Sequence, residues 1–299
     1  MLADCLRTDG HRWPSLQPDT PQTVALRAAV RARQDLVATR VATANQLRAH
    51  LQLVFPGAVG LFADLDSPIM LRFLERFPTA TKAAWLSERR LAAWLQANAY
   101  CGRRTATELL QRLRRAPLGQ RGPTAEAHAL VTLSLVRVLR TLVAEIGELE
   151  AHIREQLALH PDGPIFQSLP RAGTIRAAAL LTELGDCRAR FPAPETLAAL
   201  AGAVPATRAS GQHRAVSFRW ACDKPLRQAL VDFAQDTVRA SPWAAQLYGR
   251  HRAQRKRHPH AARILTRAWI SVIWRCWQDR QPYDPTRHRA LQRVLAPGA

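Results

Sequence analysis

The residues of this chain best suited to chemistry are a serine and a glycine set among cations: Arg208-Ala209-Ser210-Gly211-Gln212-His213-Arg214. Glycine leaves room for another backbone to approach, and Arg208, His213 and Arg214 suit a phosphodiester. A serine hydroxyl is a weak nucleophile unless a base takes its proton or the leaving charge is stabilised. Cations surround Ser210 in sequence, but carboxylates do not. Asp223 and Asp232 are the nearest acids downstream, and their spacing makes neither a base. Ser-Gly is also ordinary turn punctuation, so the order of the neighbouring features has to carry any functional reading.

A second anion-suited stretch precedes it. In Leu169-Pro-Arg-Ala-Gly173, Pro170 and Gly173 predict a turn. Thr174 reads as the N-cap of a helix whose apolar stripe is Ala177, Leu180, Leu181 and Leu184, with Gly185 as its stop. The free N–H groups and positive dipole of a helix start suit a phosphate, which nominates Arg171, Gly173 and Thr174. The densest basic run lies further on. Ten of the eighteen residues from Arg250 to Arg267 are basic or histidine and none is acidic. Such self-repulsion asks for a polyanion, with Arg252, Arg255, Lys256 and Arg257 as its contacts; a solvated face is the plainer alternative.

Composition agrees with that partner. The 299 residues carry a formal charge of +20, and of 43 basic residues only Lys82, Lys224 and Lys256 are lysine. Arginine gives bidentate phosphate contacts, although a GC-rich coding sequence also enriches it. The five cysteines (Cys5, Cys101, Cys187, Cys222, Cys276) have no metal-ligand spacing and read as reduced, mostly buried thiols of a cytoplasmic protein. No apolar run approaches the ~18 residues of a membrane span, and the N-terminus lacks the apolar core of a signal peptide.

The elements that must position these residues are helices, since alanine and leucine dominate and aromatics are only 6%. The fold class is mainly α. Leu26, Val30, Val37, Val41, Ala44, Leu47, Leu51 and Val54 predict one long helix over 22–54. Leu135, Leu139, Leu142, Ile146, Leu149, Ile153 and Leu157 predict another over 124–159. Two such stripes suit a coiled-coil-like pair, within one chain or across a homo-oligomer, or two core helices of a bundle. Ser67-Pro68, Ser87-Glu88 and the capping-box spacing Thr105…Glu108 start shorter helices, and 119–123 reads as a loop. Pro161-Asp-Gly-Pro164 is the clearest boundary. It gives a short segment over 1–21, a coiled-coil-like region over 22–160 and a helical domain over 161–299. In that last domain Val216, Phe218 and Trp220 alternate like a short strand, Pro225 opens a helix, and a final helix covers about 261–279 with tryptophans on its packing face.

Residues 169–239 resemble the C-terminal domain of the IS-110 group of bacterial insertion-sequence transposases. That domain has a helix-hairpin-helix-like segment, an alanine-rich helix ending in Gly-Asp, a Phe, a Leu-Ala-Ala run, Gly-x-x-Pro, Ser-Gly and Leu-Arg. Here they are Leu169–Gly173, Ala177–Asp186, Phe191, Leu197–Leu200, Gly202–Pro205, Ser210–Gly211 and Leu226–Arg227. The chain departs at Arg171, where the hairpin usually has its first glycine, and at Arg214–Lys224, which is poorer in glycine and lysine.

The resemblance implies a DNA transposase in which Ser210 attacks DNA and holds it covalently. It implies a structured guide RNA that pairs with target and donor DNA. It also implies magnesium, held by the acidic residues of an N-terminal ribonuclease-H-like (RuvC-like) domain. Residues 1–21 resemble the segment after the last acid of that domain. The expectation is therefore a chain lacking the acidic domain and inactive alone, with no cofactor of its own, and neither Asp4 nor Asp9 is given a metal role. A non-catalytic nucleic-acid-binding remnant or regulator is the alternative, and a plain helical interaction protein would leave the charge unexplained.

Overall fold

The computed structural model describes residues 2–12, 17–117, 119 and 124–296. The loop expected over 119–123 lies outside them apart from Gly119, as does part of the segment expected over 1–21. Along the chain run α1 (Leu2–Asp9), α2 (Pro21–Val54), α3 (Pro68–Arg76), α4 (Ala80–Ala83), α5 (Glu88–Ala97), α6 (Ala106–Arg115) and α7 (Thr124–Leu159). Then come α8 (Gly163–Gln167), α9 (Gly173–Leu184), α10 (Pro194–Leu200), β1 (Ala206–Ser210) and β2 (His213–Ser217). The chain closes with α11 (Lys224–Thr237), α12 (Pro242–Ala253), α13 (His258–Gln278) and α14 (Arg289–Leu295). The architecture is mainly α, with one two-stranded antiparallel sheet among the described residues. No helix among the described residues is long and apolar enough to cross a membrane.

The chain divides into two compact units, Met1–Arg31 with Ala151–Ala299, and Ala32–Glu150. In the second, Leu47, Leu51 and Val54 of α2 share a core with Val136 and Leu139 of α7 and with Phe73, Leu74 and Leu91. Phe73 is its aromatic centre, with the rings of Phe62, Phe77 and Trp94 at 5.8, 5.2 and 5.6 Å. Local signals set the short helices. Ser87 accepts from the Arg90 N–H, Pro68 opens α3, and Thr105 with Glu108 closes a full capping box. Arg112, Arg114 and Arg115 face solvent. The α2 stripe is buried where these cores form, but Val41 in its middle is 48% exposed.

The first unit is built around α9, whose residues 177–184 are all buried. Its run of alanines lets α8 and α11 pack closely, and Leu26, Val30, Ile153 and Leu157 close the same core. The α13 tryptophans belong here too. Trp269 and Trp277 are fully buried, and Trp269 donates its indole N–H to Thr237 Oγ1 at 2.8 Å. All five cysteines are free. Cys101 is exposed and the other four are half-buried, so the expected burial of the thiols is only partial.

Candidate nucleic-acid interface and serine hairpin

Ser210 is not in a loop; it is the last residue of β1. The strand predicted around Val216–Trp220 is shifted to His213–Ser217 and pairs back on Ala206–Ser210. Thr207 and Val216, both β-branched, form a cross-strand pair. Gly211 at φ +55° takes the first central position of the two-residue turn, where a hairpin needs a left-handed residue. Partners in the register share a face. Ser210 pairs with His213 and Arg208 with Ala215, so Ser210, His213 and Arg208 lie on one face. Ala209 pairs with Arg214, which puts Arg214 on the other. The four residues that sequence had grouped are thus divided three to one, and all of 207–214 are exposed.

The hairpin's root is fixed by residues outside it. Arg227 donates to the carbonyls of Ala201 (3.3 Å) and Arg219 (2.5 Å), tying both sides of the hairpin together. Gly202 makes this possible: it has φ +63°, and a Cβ there would lie 2.2 Å from Arg227 Nη2. Asp223 caps α11 through the Leu226 N–H and donates its own N–H to Leu200 O. The Leu-Arg motif therefore places Leu226 in the core and Arg227 as the clamp.

The turn before α9 has two left-handed residues, Arg171 at φ +60° and Gly173 at φ +57°. Arg171 thus adopts the backbone that favours glycine, at a cost of about 1 kcal/mol. Its carbonyl accepts from Arg176, which also pairs with Asp236 at 2.5 Å. Thr174 is not the N-cap. That position falls on Ala172, which offers no side-chain cap, and Thr174 lies inside the first turn of α9.

The basic run 250–267 spans the α12–α13 junction. Arg255 has φ +59°, Arg252 donates to the Lys256 carbonyl at 2.7 Å, and Lys256 Nζ meets His251 Nδ1 at 3.0 Å. Arg252 and Lys256 thereby shape the turn, while Arg255 and Arg257 project into solvent. Among the described residues none of these four pairs with a carboxylate.

Sequence reasoning missed a polar network behind the Gly185–Asp186 motif. Asp19 is buried and holds Arg27, Arg190 at 3.1 Å and the Asp186 N–H. Gly185, at φ +84°, is where a Cβ would meet Asp19 Oδ1 at 2.4 Å. Asp186 accepts from Thr20 Oγ1 (2.5 Å) and Thr23 Oγ1 (2.8 Å). Burial pushes the Asp186 carboxyl up, but these hydrogen bonds outweigh it and hold it below the usual carboxylate value. Thr23 Oγ1 also lies 2.8 Å from His160 Nε2, and His160 Nδ1 accepts the Asp162 N–H at 3.1 Å. The chain of bonds thus sets a neutral imidazole with its proton on Nε2. Burial lowers the His160 pKa. The pairing of a threonine near position 20 with a Gly-Asp beyond position 180 leaves no signal in a single sequence.

A family model described as Transposase IS116/IS110/IS902 family matches residues 163–249, and a second, described as a transposase, matches residues 1–56. The chain is 32% identical to the Mini-circle putative transposase for IS117 of Streptomyces coelicolor, over 96% of this chain and 71% of that protein. It is 30% identical to the Insertion element IS110 uncharacterized 43.6 kDa protein of the same organism, over 95% and 70%. It is 31% identical to the Insertion element IS900 uncharacterized 42 kDa protein of Mycobacterium paratuberculosis, over 54% and 41%.

Proposed function

Because the chain belongs to the IS116/IS110/IS902 family of insertion-sequence transposases, we propose that it acts on DNA through Ser210, at the tip of the β1–β2 hairpin. The observation that carries this reading is the exposed face shared by Ser210, His213 and Arg208. A nucleophile, a proton acceptor and a phosphate-binding cation are what attack on a phosphodiester requires. In the proposed step Ser210 Oγ bonds to phosphorus, one P–O ester bond breaks, and the sugar oxygen leaves. The hydroxyl proton passes to His213 and on to that oxygen. Arg208 steadies the negative charge on the phosphoryl oxygens.

Among the described residues no trio of His, Cys, Asp or Glu is arranged to hold a metal ion. We assign magnesium to the carboxylates of a ribonuclease-H-like domain. A structured RNA of the element supplies target choice, and the active form is a homo-oligomer. The basic junction at Arg252–Arg257 and the turn at Arg171–Thr174 bind the nucleic-acid backbone.

The test is a strand-exchange assay with the element's DNA ends and RNA, magnesium and the acidic domain supplied, run beside Ser210→Ala. A covalent protein–DNA adduct is expected with serine and not with alanine. An adduct that survives the substitution would remove Ser210 from the chemistry. A second reading, binding without catalysis, draws on the lack of any carboxylate bonded to Ser210 among the described residues. Salt-sensitive DNA binding with no adduct under any of these conditions would select it.

A further inference from the structure

Trp220 is 80% exposed, the most exposed of the large hydrophobic residues described. It lies three residues beyond the end of β2 and meets Phe218 edge-on, with ring centres 4.9 Å apart. Two cations lie over the Phe218 ring: the guanidinium carbons of Arg227 and Arg263 are each 4.6 Å from its centre. Arg227 is held by backbone carbonyls. Among the described residues Arg263 has no hydrogen bond and no carboxylate partner, and both burial and the nearby Arg227 pull its pKa down. Two like charges brought onto one ring repel, and an anion beside them would relieve that cost. The same ring borders a pocket of about 410 Å³, lined also by Val204, Val216, His260 and Arg267. A small-ligand site typically has roughly 300–1,000 Å³.

We propose that the exposed face of Trp220 stacks an unpaired nucleic-acid base, with Arg263 taking the phosphate of the neighbouring nucleotide in the pocket beside Phe218. A bare indole face next to an unpaired cation is complementary to a single strand, which offers a π-face and a phosphate at every step. Duplex DNA hides its base faces and offers only the second. The site is distinct from the face of Ser210: it lies at the root of the hairpin, not its tip. It rests on the reading of the chain as a nucleic-acid-acting protein but not on Ser210 being a nucleophile.

The experiment measures equilibrium binding of the 299-residue chain to a labelled mixed-sequence single strand, as DNA and as RNA, and to the same sequence as duplex. Trp220→Ala should weaken single-strand binding about ten-fold and duplex binding less than about two-fold. Trp220→Phe should recover most of the loss, because a ring still stacks. Arg263→Gln should lower the salt slope for the single strand by about one. The strand type showing the larger Trp220→Ala effect identifies whether RNA or DNA occupies the site. Unchanged single-strand affinity in Trp220→Ala, or an equal loss for duplex, would overturn the proposal. A surviving Ser210-dependent adduct in that variant would leave the catalytic reading intact. Circular-dichroism melting of each variant separates lost stacking from lost fold.

Discussion

Ser210 and His213 face each other across the last rung of the β1–β2 ladder. Directly opposed residues in an antiparallel pair have Cβ atoms about 5 Å apart, so the two side chains are neighbours on one face, and the proposed step gives His213 the serine proton. His213→Gln is therefore expected to cut the rate of adduct formation roughly 100-fold, the lower end of what a general base contributes. Single-turnover kinetics at saturating DNA check this, with binding affinity measured in parallel. A rate within a few-fold of the parent protein's would leave His213 as a phosphate contact only.

Of the four cations Arg252, Arg255, Lys256 and Arg257 at the α12–α13 junction, Arg255 and Arg257 are exposed and make no side-chain hydrogen bond among the described residues. Arg255→Gln with Arg257→Gln should reduce the slope of log K against log salt by roughly two on duplex DNA. Arg252→Gln and Lys256→Gln should additionally lower the melting temperature, since both hold the turn together. An unchanged slope in the first pair would move the duplex-binding surface elsewhere.

Gly202→Ala should destabilise the first unit by about 2 kcal/mol. The added methyl collides with the Arg227 guanidinium at a position that is already left-handed. Thermal unfolding measures the loss. The same variant should also reduce Ser210-dependent chemistry, because the clamp beneath the hairpin is displaced. A melting temperature equal to the parent's would show that Arg227 can give way.

His160 is neutral in the folded chain, and burial depresses its pKa. The folded state then binds fewer protons than the unfolded one, so its contribution is present above the unfolded value of about 6.5 and is lost as pH falls below it. Asp186 acts in the same direction at lower pH. Its depressed pKa gives stability that is present above about pH 4 and lost as pH falls through the folded value. Urea unfolding at a series of pH values should show stability declining below about pH 6.5, and His160→Gln should flatten the upper part of that decline. An identical pH dependence in the variant would exclude His160 as its source.

Leu47→Asp should unfold or strongly destabilise residues 32–150, because Leu47 is fully buried and a carboxylate there has no partner. Far-ultraviolet circular dichroism during heating reads this out. Val41→Asp is the control. Although on the same predicted stripe, it is 48% exposed and should cost little.

Helices were legible where the signal is local. The ends of α2 and α7, the Thr105–Glu108 capping box and the proline-started helices all follow from spacing and caps. What failed was anything decided by a partner distant in sequence. Val41 satisfies the stripe pattern but meets no core. Thr174 has a cap's chemistry, yet the preceding left-handed residues start α9 earlier. Around Ser210 the residue types were readable but their geometry was not. Strand register, which places His213 with Ser210 and Arg214 away from it, depends on pairing that residue order alone does not state. The Asp19–Asp186 network is the extreme case, joining side chains more than 160 residues apart.

The exposed hairpin also has a mechanical meaning. Five residues of strand at about 3.3 Å each make an arm of roughly 16 Å between its root at Arg227 and its tip at Ser210. Nothing buries residues 207–214 along the way, so the arm's direction is set almost wholly at its base. A rotation there of about 10° would sweep the serine oxygen through roughly 3 Å, the difference between contact with phosphorus and none. Leverage of this kind makes the Gly202–Arg227 pivot the place where a small shift would redirect Ser210 without touching it.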